Sequence, residues 1–420
     1  MQFGRYDYAV FSTFACYAAC SMAVALALVD IGRSLNFPLE DGGMTAGGIL
    51  HMFRSISMVI AMIFCGVIAG KKGLRPTLGF CVGMMALGIT LSAFAPWYWV
   101  LLLALTIAGL GEGVVEGLAT PFVQKLHEDH EPGRYINFSH GFWSMGIGSV
   151  VIIAGILLSC GVHWRFVIGG IGLLSFIPAF LLLWRENPAK RYPESQKSIS
   201  GRRILKQTKE ILSRPLFWLF FLAMFFGGGG EFGLTFWCAS FIRLNFADIP
   251  FLGGAMTAVF AAGMFIGRTG SGLLVRQKNL KYLILLAAAG GIIVTSFIPF
   301  ISKEFFTQTW MLYTVLFGIF FLSGLAAAPF WPSIQSYCCD RMPEVDSTML
   351  FILLSCAGTP GCGVVTYLIG LLGDIPGIGL KYSFFLVPVC FLLVALLILL
   401  DMAIAKRQKK ISASESEKRV

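Results

Sequence analysis

Two glutamates lie one helical turn apart in a stretch of sequence that is too apolar for water. Glu112 and Glu116 are the only charged residues between Trp99 and Phe122, and their spacing puts them on one helix face. Burying an acid at the centre of a membrane helix costs about 2.5–3.5 kcal/mol. Two carboxylates this close in a low dielectric are not both readily ionised. The pair predicts proton handling, and the alternative is a structural bond to a neighbouring helix.

A second group of charged and polar residues lies in the first two apolar runs. Asp30 ends the first run, and Arg54 and His51 share a face of the second. Because consecutive helices with a short connection are antiparallel, we expect Asp30 and Arg54 to come within about one turn of each other. Their ion pair is interpreted either as a permanent structural pair or as one that opens during transport.

The later apolar runs contain candidates for a substrate pocket. The run Gly227–Gly230 precedes Glu231, and each glycine weakens a helix by up to about 1 kcal/mol relative to alanine. We therefore predict a break there, with Glu231 accepting hydrogen bonds from substrate hydroxyls beside Trp237. Trp331 and His140 are further candidates. For the aromatic residues the alternative is core packing, and for His140 a buried neutral imidazole.

The composition indicates that these residues lie in membrane-spanning segments. Of 420 residues, 57% are hydrophobic and only 13% are charged, whereas a soluble domain carries about 25% charged residues. Apolar windows predict an all-α polytopic protein of twelve transmembrane helices, six on each side of a polar segment. The predicted divisions are a first six-helix half at 1–184, a linker at 185–214, a second half at 215–405 and a tail at 406–420.

Charge asymmetry predicts the orientation. With the N-terminus inside, most of the 32 Lys and Arg residues fall on the inside. The predicted outer loops contain Arg33, Arg165, Arg243, Lys303 and Lys381. Both termini are therefore expected to be cytoplasmic, in a multi-pass protein of the cell's inner membrane.

The same composition argues against other classes of protein. The net charge of +10 follows from topology, so we expect no nucleic-acid partner, and the bilayer itself is the partner of the basic tail. The eleven cysteines have no metal-ligand spacing, and no nucleophile constellation is present. We expect no metal, no cofactor and no enzyme activity.

The two sets of helices resemble each other. Pro121 in the fourth helix has a counterpart in Pro332 of the tenth, and Gly146-x-Gly148 in the fifth recurs as Gly361-x-Gly363 in the eleventh. A six-plus-six repeat is typical of transporters with a site between the halves near mid-membrane.

These motifs resemble the major facilitator superfamily, and within it the fucose permease-like sugar:proton symporters. The resemblance spans nearly the whole chain. Its quoted segments are Asp30-Ile31, the Gly66–Arg75 loop, Gly109-Leu110-Gly111 with Glu116 and Thr120–Val123, Asn137–Gly146, Gly267-Arg268-x-Gly270, and Pro332-Ser333-Ile334.

The resemblance implies roles for individual residues. The family's proton-linked glutamate falls on Glu116, and its helix-one aspartate falls on Asp30. His140 stands where the family has a sugar-contacting glutamine, and Trp143 stands where it has an asparagine. The segment beginning at Asn137 would therefore contribute to a substrate site, and these replacements argue against fucose itself.

Together the sequence predicts a monomeric secondary transporter that imports a sugar or similar small polar solute with protons, by alternating access. One alternative is a carrier of a sugar acid or other organic anion, held by Arg54 and His51. Another is a non-transporting membrane sensor with the same fold.

Overall fold

The computed structural model describes residues 3–127, 132–184, 201–345 and 347–417. Within those ranges the chain forms helices and loops and no strand. The α-helices, in chain order, are α1 (Arg5–Ser34), α2 (Met44–Lys72), α3 (Leu74–Ala93), α4 (Tyr98–Leu126), α5 (Pro132–Ser159), α6 (Trp164–Leu174), α7 (Phe176–Leu183), α8 (Gly201–Leu212), α9 (Pro215–Asn245), α10 (Pro250–Leu274), α11 (Leu280–Ser296), α12 (Thr309–Ala327), α13 (Phe330–Arg341), α14 (Ser347–Gly373), α15 (Gly379–Ser383) and α16 (Leu386–Glu417). Short 3-10 helices lie at Leu39–Asp41, Gln277–Asn279, Ile298–Phe300 and Lys303–Phe305.

Twelve helical segments of the described chain are long and apolar enough to cross a membrane, as predicted. The sixth segment combines α6 and α7, the tenth combines α12 and α13, and the twelfth combines α15 with most of α16. Six segments precede the central polar region and six follow it.

The first six segments meet the last six mainly through two helix pairs. α2 packs along α14, and α5 packs along α10. Because the number of spans is even, both chain ends lie at the same end of the bundle. We call this the terminal end, and we call the opposite end, which holds Asp30 and the loop after α9, the Asp30 end.

The predicted break at Gly227–Gly230 is wrong, because α9 runs unbroken from Pro215 to Asn245. A Cβ on Gly229 would lie 2.5 Å from Cγ2 of Val365, and one on Gly230 would lie 2.6 Å from the Phe391 ring. The glycines therefore let α14 and α16 approach the α9 backbone closely. That packing offsets their poor helix propensity.

The predicted linker contains a helix of its own. Within 185–214, the amphipathic helix α8 packs Ile211 into the bundle at 1% exposure, while Lys206 and Lys209 remain exposed. Residues 185–200 lie outside the described chain. The division into two halves and a linker remains a prediction.

Candidate functional site

The two glutamates of α4 have different surroundings, and Glu112 is the buried one. Its carboxylate accepts two hydrogen bonds from Arg54 of α2, one from Nε at 2.7 Å and one from Nη2. The side chains are 0% and 3% exposed. A bidentate buried pair neutralises both charges and fixes α2 on α4. The geometry therefore favours the structural interpretation of Glu112.

The expected ion pair between Asp30 and Arg54 is not formed. Arg54 pairs with Glu112. Asp30 instead accepts hydrogen bonds from both terminal guanidinium nitrogens of Arg243 in α9, at 2.5 and 2.9 Å. Adjacency along the chain points only to α2 as a neighbour of α1. Arg243 gives no such signal, because it lies 213 positions further along the chain.

The proposed anion site formed by Arg54 and His51 is also not assembled. His51 stacks on Phe232 with ring centroids 4.4 Å apart and bonds Ser55 through Nε2 at 3.2 Å. It is 6% exposed, and Arg54 is 3% exposed. Neither side chain is presented to a solute, so the anion-carrier alternative loses the residues on which it depended.

Glu116 faces the interior beside a different set of groups. Its side chain is partly exposed, and no ion pair reaches it among the described residues. The Tyr17 hydroxyl of α1 and the Arg268 guanidinium are the polar groups near it. The acid with the family precedent is therefore the one that is left without a salt-bridge partner.

Arg268 links the last six segments to this region. Its Nη2 donates to Oε1 of Glu231 at 2.8 Å, and its Nε donates to the carbonyl of Ala328 at 3.3 Å. The guanidinium lies 5.8 Å from the centroid of the Trp143 ring, which belongs to α5. Arg268 therefore spans the boundary between the first and last six segments.

Glu231 retains an unused acceptor. Its Oε2 is buried and has no hydrogen-bond partner among the described residues. A buried acceptor without a partner is costly, so a hydroxyl donor that reaches this oxygen after a rearrangement of the surrounding helices would be stabilised there. The predicted role of Glu231 as a hydroxyl acceptor remains compatible with the geometry, although its main partner is Arg268.

His140, in the first part of α5, is exposed. Its Nε2 lies 2.9 Å from the Thr120 hydroxyl of α4, and its ring lies 4.7 Å from that of Phe14. We call Glu116, His140, Trp143, Glu231 and Arg268 the central cluster. Four of these five were predicted site residues, whereas Arg268 was named only as part of the segment Gly267-Arg268-x-Gly270 that resembles the family.

The predicted role of Trp237 as a pocket wall is wrong. Trp237 is 0% exposed and donates its Nε1 proton to the Thr366 carbonyl at 2.9 Å, so it packs α9 against α14. Trp331 is partly buried and packs on Gly358 and Gly228. The side chain of Asn137 lies outside what the structure describes.

Charged groups join the two sets of helices at the Asp30 end. Arg243 bonds Asp248 at 2.7 Å as well as Asp30, and Arg33 bonds Asp248 and Glu40 at 2.6 Å each. Burial raises the pKa of Asp248, but the hydrogen bonds from Arg33 and Arg243 outweigh it and hold the pKa below its ordinary value. We call these five residues the Asp30-end latch.

A second connection at this end caps a helix. The carboxylate of Asp374 after α14 accepts hydrogen bonds from the backbone N–H groups of Met44 and Thr45 at 2.9 and 2.7 Å. An acid at a helix N-terminus satisfies free donors and favours the helix dipole. Sequence inspection missed this contact, because an acid in a polar loop gives no sign of its partner.

Among the described residues, the ion pairs that join the first and last six segments, Arg243–Asp30 and Arg33–Asp248, lie at the Asp30 end. At the terminal end, the ion pairs of the described residues stay within one set, as in Asp7 with His127 and Arg341 with Asp401. His140 and Arg268 remain accessible. The charged contacts between the two sets of segments are therefore concentrated at the Asp30 end, and two groups of the central cluster are at least partly exposed.

Comparison with known proteins gives the same architecture. The profile of the Major Facilitator Superfamily matches residues 9–320. The chain is 24% identical over 301 residues to the inner membrane transport protein YdhP of Escherichia coli strain K12, covering 68% of this chain and 73% of YdhP.

Solved structures show the same fold at low identity. The nucleoside transporter NupG superposes with a TM-score of 0.71 and 14% identity, covering 96% of this chain and 98% of that one. A D-xylose-proton symporter superposes with a TM-score of 0.70 and 12% identity, covering 94% and 96%. The protein is a multi-pass membrane transporter and not an enzyme, and the chain belongs to the Major Facilitator Superfamily.

Proposed function

We propose that this transporter couples proton movement to the transport of a small, neutral, polar solute bound at the central cluster. The observation that carries the proposal is the division of the α4 acids. Arg54 neutralises Glu112, whereas Glu116 faces the interior with Tyr17 nearby and no salt-bridge partner among the described residues.

The coupling follows from the cost of enclosing a charge. When the terminal end closes over the cluster, water leaves Glu116, and an unpaired carboxylate in a dry interior is strongly disfavoured. Protonation removes that cost, so closure is easier with a proton on Glu116. Opening at either end readmits water and allows the proton to exchange with that side of the membrane. Proton and solute then cross together.

The solute is bound mainly by Glu231 and Arg268 of the last six segments. Glu231 offers the free Oε2, and Arg268 offers guanidinium protons that Glu231 and Ala328 do not use. The indole of Trp143 supplies an apolar face against which a ring can stack. Alternating acceptors, donors and one aromatic face suit the hydroxyl-rich ring of a sugar or a nucleoside.

The charge of the cluster favours a neutral solute over an anion. Two carboxylates, Glu116 and Glu231, face one cation, Arg268, and that cation is already paired with Glu231. Even with Glu116 protonated, Glu231 neutralises Arg268, so an added carboxylate would find no unpaired guanidinium in the cluster. We therefore place sugars and nucleosides ahead of sugar acids as candidates.

We further propose that the terminal end is cytoplasmic, since most positive residues lie in the loops and tails of that end. With the inward proton gradient of a bacterial inner membrane, proton coupling then favours import. The distribution of Lys and Arg residues supports this assignment.

A thermal-shift screen of the purified protein tests the solute class. Neutral pentoses, hexoses and nucleosides should raise the melting temperature, and glucuronate should not. Glu231→Gln should abolish the shift given by a neutral hit, and Trp310→Phe, a change at an exposed tryptophan remote from the cluster, should retain it. Stabilisation by glucuronate alone would contradict the proposal. Absence of transport for every solute that binds would favour the sensor alternative.

A further inference from the structure

A cleft at the terminal end is not involved in the transport mechanism proposed above. It has a volume of about 240 Å³ and is lined by residues that include Arg214, Leu216, Arg341, Glu344 and Gln408. These residues come from the start of α9, the end of α13 and the end of α16, together with the loop after α13. The cleft therefore lies between three membrane segments, away from the central cluster.

Its depth matches the headgroup layer of a bilayer. Pro215 is the first residue of the seventh span, Arg341 is the last of the tenth, and Gln408 is the last of the twelfth. The apolar spans thus end at the level of the cleft, where lipid phosphates lie.

The arginines of the cleft are incompletely used. Arg341 bonds the buried Asp401 through Nε at 2.8 Å, while its Nη2 is buried and has no hydrogen-bond partner among the described residues. Arg214 reaches Glu344 at 3.3 Å with both side chains nearly half exposed. A single exposed contact of this kind is worth little, so an anion can displace Glu344.

The surroundings add positive charge. Lys406 and Arg407 are exposed on α16 just before Gln408. The N-terminus of α9 points its unpaired N–H groups at the same end. Asp401 is fully buried against Tyr337 and Arg341, so among the described lining residues Glu344 is the acid that faces these cations.

We propose that this cleft binds the phosphate of an anionic phospholipid, with Arg214 and Arg341 as its ligands and the acyl chains lying along the bundle surface. In the absence of lipid, Glu344 forms an ion pair with Arg214, and the phosphate of the headgroup displaces it. Binding would tie the start of α9 to the ends of α13 and α16, and α9 contains both Glu231 and Arg243.

The test uses the purified full-length protein in a neutral detergent. Dioleoyl phosphatidylglycerol is titrated while the melting temperature and lipid retention by native mass spectrometry are measured. Dioleoyl phosphatidylcholine and inorganic phosphate are the two comparison ligands. Phosphatidylglycerol should raise the melting temperature. Phosphatidylcholine and inorganic phosphate should have little effect at the same concentration.

Three variants separate this cleft from general surface charge. Arg214→Gln should weaken phosphatidylglycerol binding roughly fivefold, the expected effect of one basic residue at a lipid surface. Arg276→Gln removes an exposed arginine of the same end outside the cleft and should leave binding unchanged. Glu344→Gln removes the competing acid and should tighten binding.

Several results would overturn the proposal. Equal weakening by Arg214→Gln and Arg276→Gln would indicate diffuse attraction. Equal stabilisation by inorganic phosphate would assign the cleft to a free anion, and equal stabilisation by phosphatidylcholine would remove the requirement for negative charge. If Arg214→Gln fails to fold, Glu344→Gln decides, because unchanged or weaker binding in that variant contradicts a site in which Glu344 competes.

Discussion

At the residue scale, the chain separates two acids of one helix into different tasks. Sequence spacing correctly put Glu112 and Glu116 on one helical stretch, and the family resemblance singled out Glu116. The partner of Glu112 could not be read from the sequence, because Arg54 lies 58 positions away and the contact depends on how α2 packs on α4. The same reason hid the pairing of Asp30 with Arg243.

Replacement of the two acids should therefore give opposite results. Glu112→Gln leaves Arg54 buried without a countercharge and should cost about 3–5 kcal/mol of stability. Glu116→Gln removes no ion pair and should leave the melting temperature near that of the wild type. Thermal unfolding of both variants in one detergent measures the difference.

A double replacement provides the control for that prediction. Arg54→Met with Glu112→Leu removes both charges and should recover most of the stability lost in Glu112→Gln. If Glu112→Gln is as stable as the wild type, Glu112 is not a structural partner of Arg54.

Glu231 should act on solute affinity and not on coupling. Because its free Oε2 is the proposed hydroxyl acceptor, Glu231→Gln should raise KM for a neutral solute about tenfold or more. The ratio of uptake with and without a proton gradient should be retained. Loss of that ratio with unchanged KM would transfer the coupling role to Glu231.

At the element scale, hydropathy was sufficient to predict twelve spans, because each span must be apolar along its whole length. Local propensity was insufficient inside α9. The glycine run predicts a break when the helix is considered alone, but contacts with Val365 and Phe391 require glycine there. Those contacts come from α14 and α16, more than a hundred residues away.

A glycine replacement tests this account of α9. Gly230→Ala should destabilise the protein by about 1–3 kcal/mol, since the added Cβ would lie 2.6 Å from the Phe391 ring. Gly290→Ala in α11 meets nothing within 4 Å and should be neutral or stabilising through its better helix propensity. Equal effects in urea or thermal unfolding would contradict close packing as the reason for the glycine.

The Asp30-end latch should not respond to mild acid. The pKa of Asp248 is held below its ordinary value, so its stabilising bonds are present above that ordinary value and are lost only as pH falls through the lowered one. The pH dependence of transport between about 5.5 and 7.5 therefore belongs elsewhere. Asp248→Asn should change uptake rates by the same factor at both pH values, and a changed ratio would show that Asp248 titrates in this range.

At the scale of the whole molecule, the contacts between the two sets of six segments are unevenly distributed. The latch and the Asp374 cap join them at the Asp30 end, whereas the described ion pairs of the terminal end stay within one set. Sequence repeats predicted a site between the halves, but they could not predict at which end the charged contacts between the halves would form. That depends on the balance of contacts in this particular conformation.

The most direct test of proton coupling is solute uptake into proteoliposomes with and without an inward proton gradient. The solute is the neutral compound that gives the largest thermal shift, and the proteins are the wild type, Glu116→Gln and Trp310→Phe. The account predicts gradient-stimulated uptake by the wild type and Trp310→Phe. It predicts solute binding and exchange without gradient stimulation in Glu116→Gln. Uptake by the wild type that ignores the gradient and is unchanged in Glu116→Gln would contradict it.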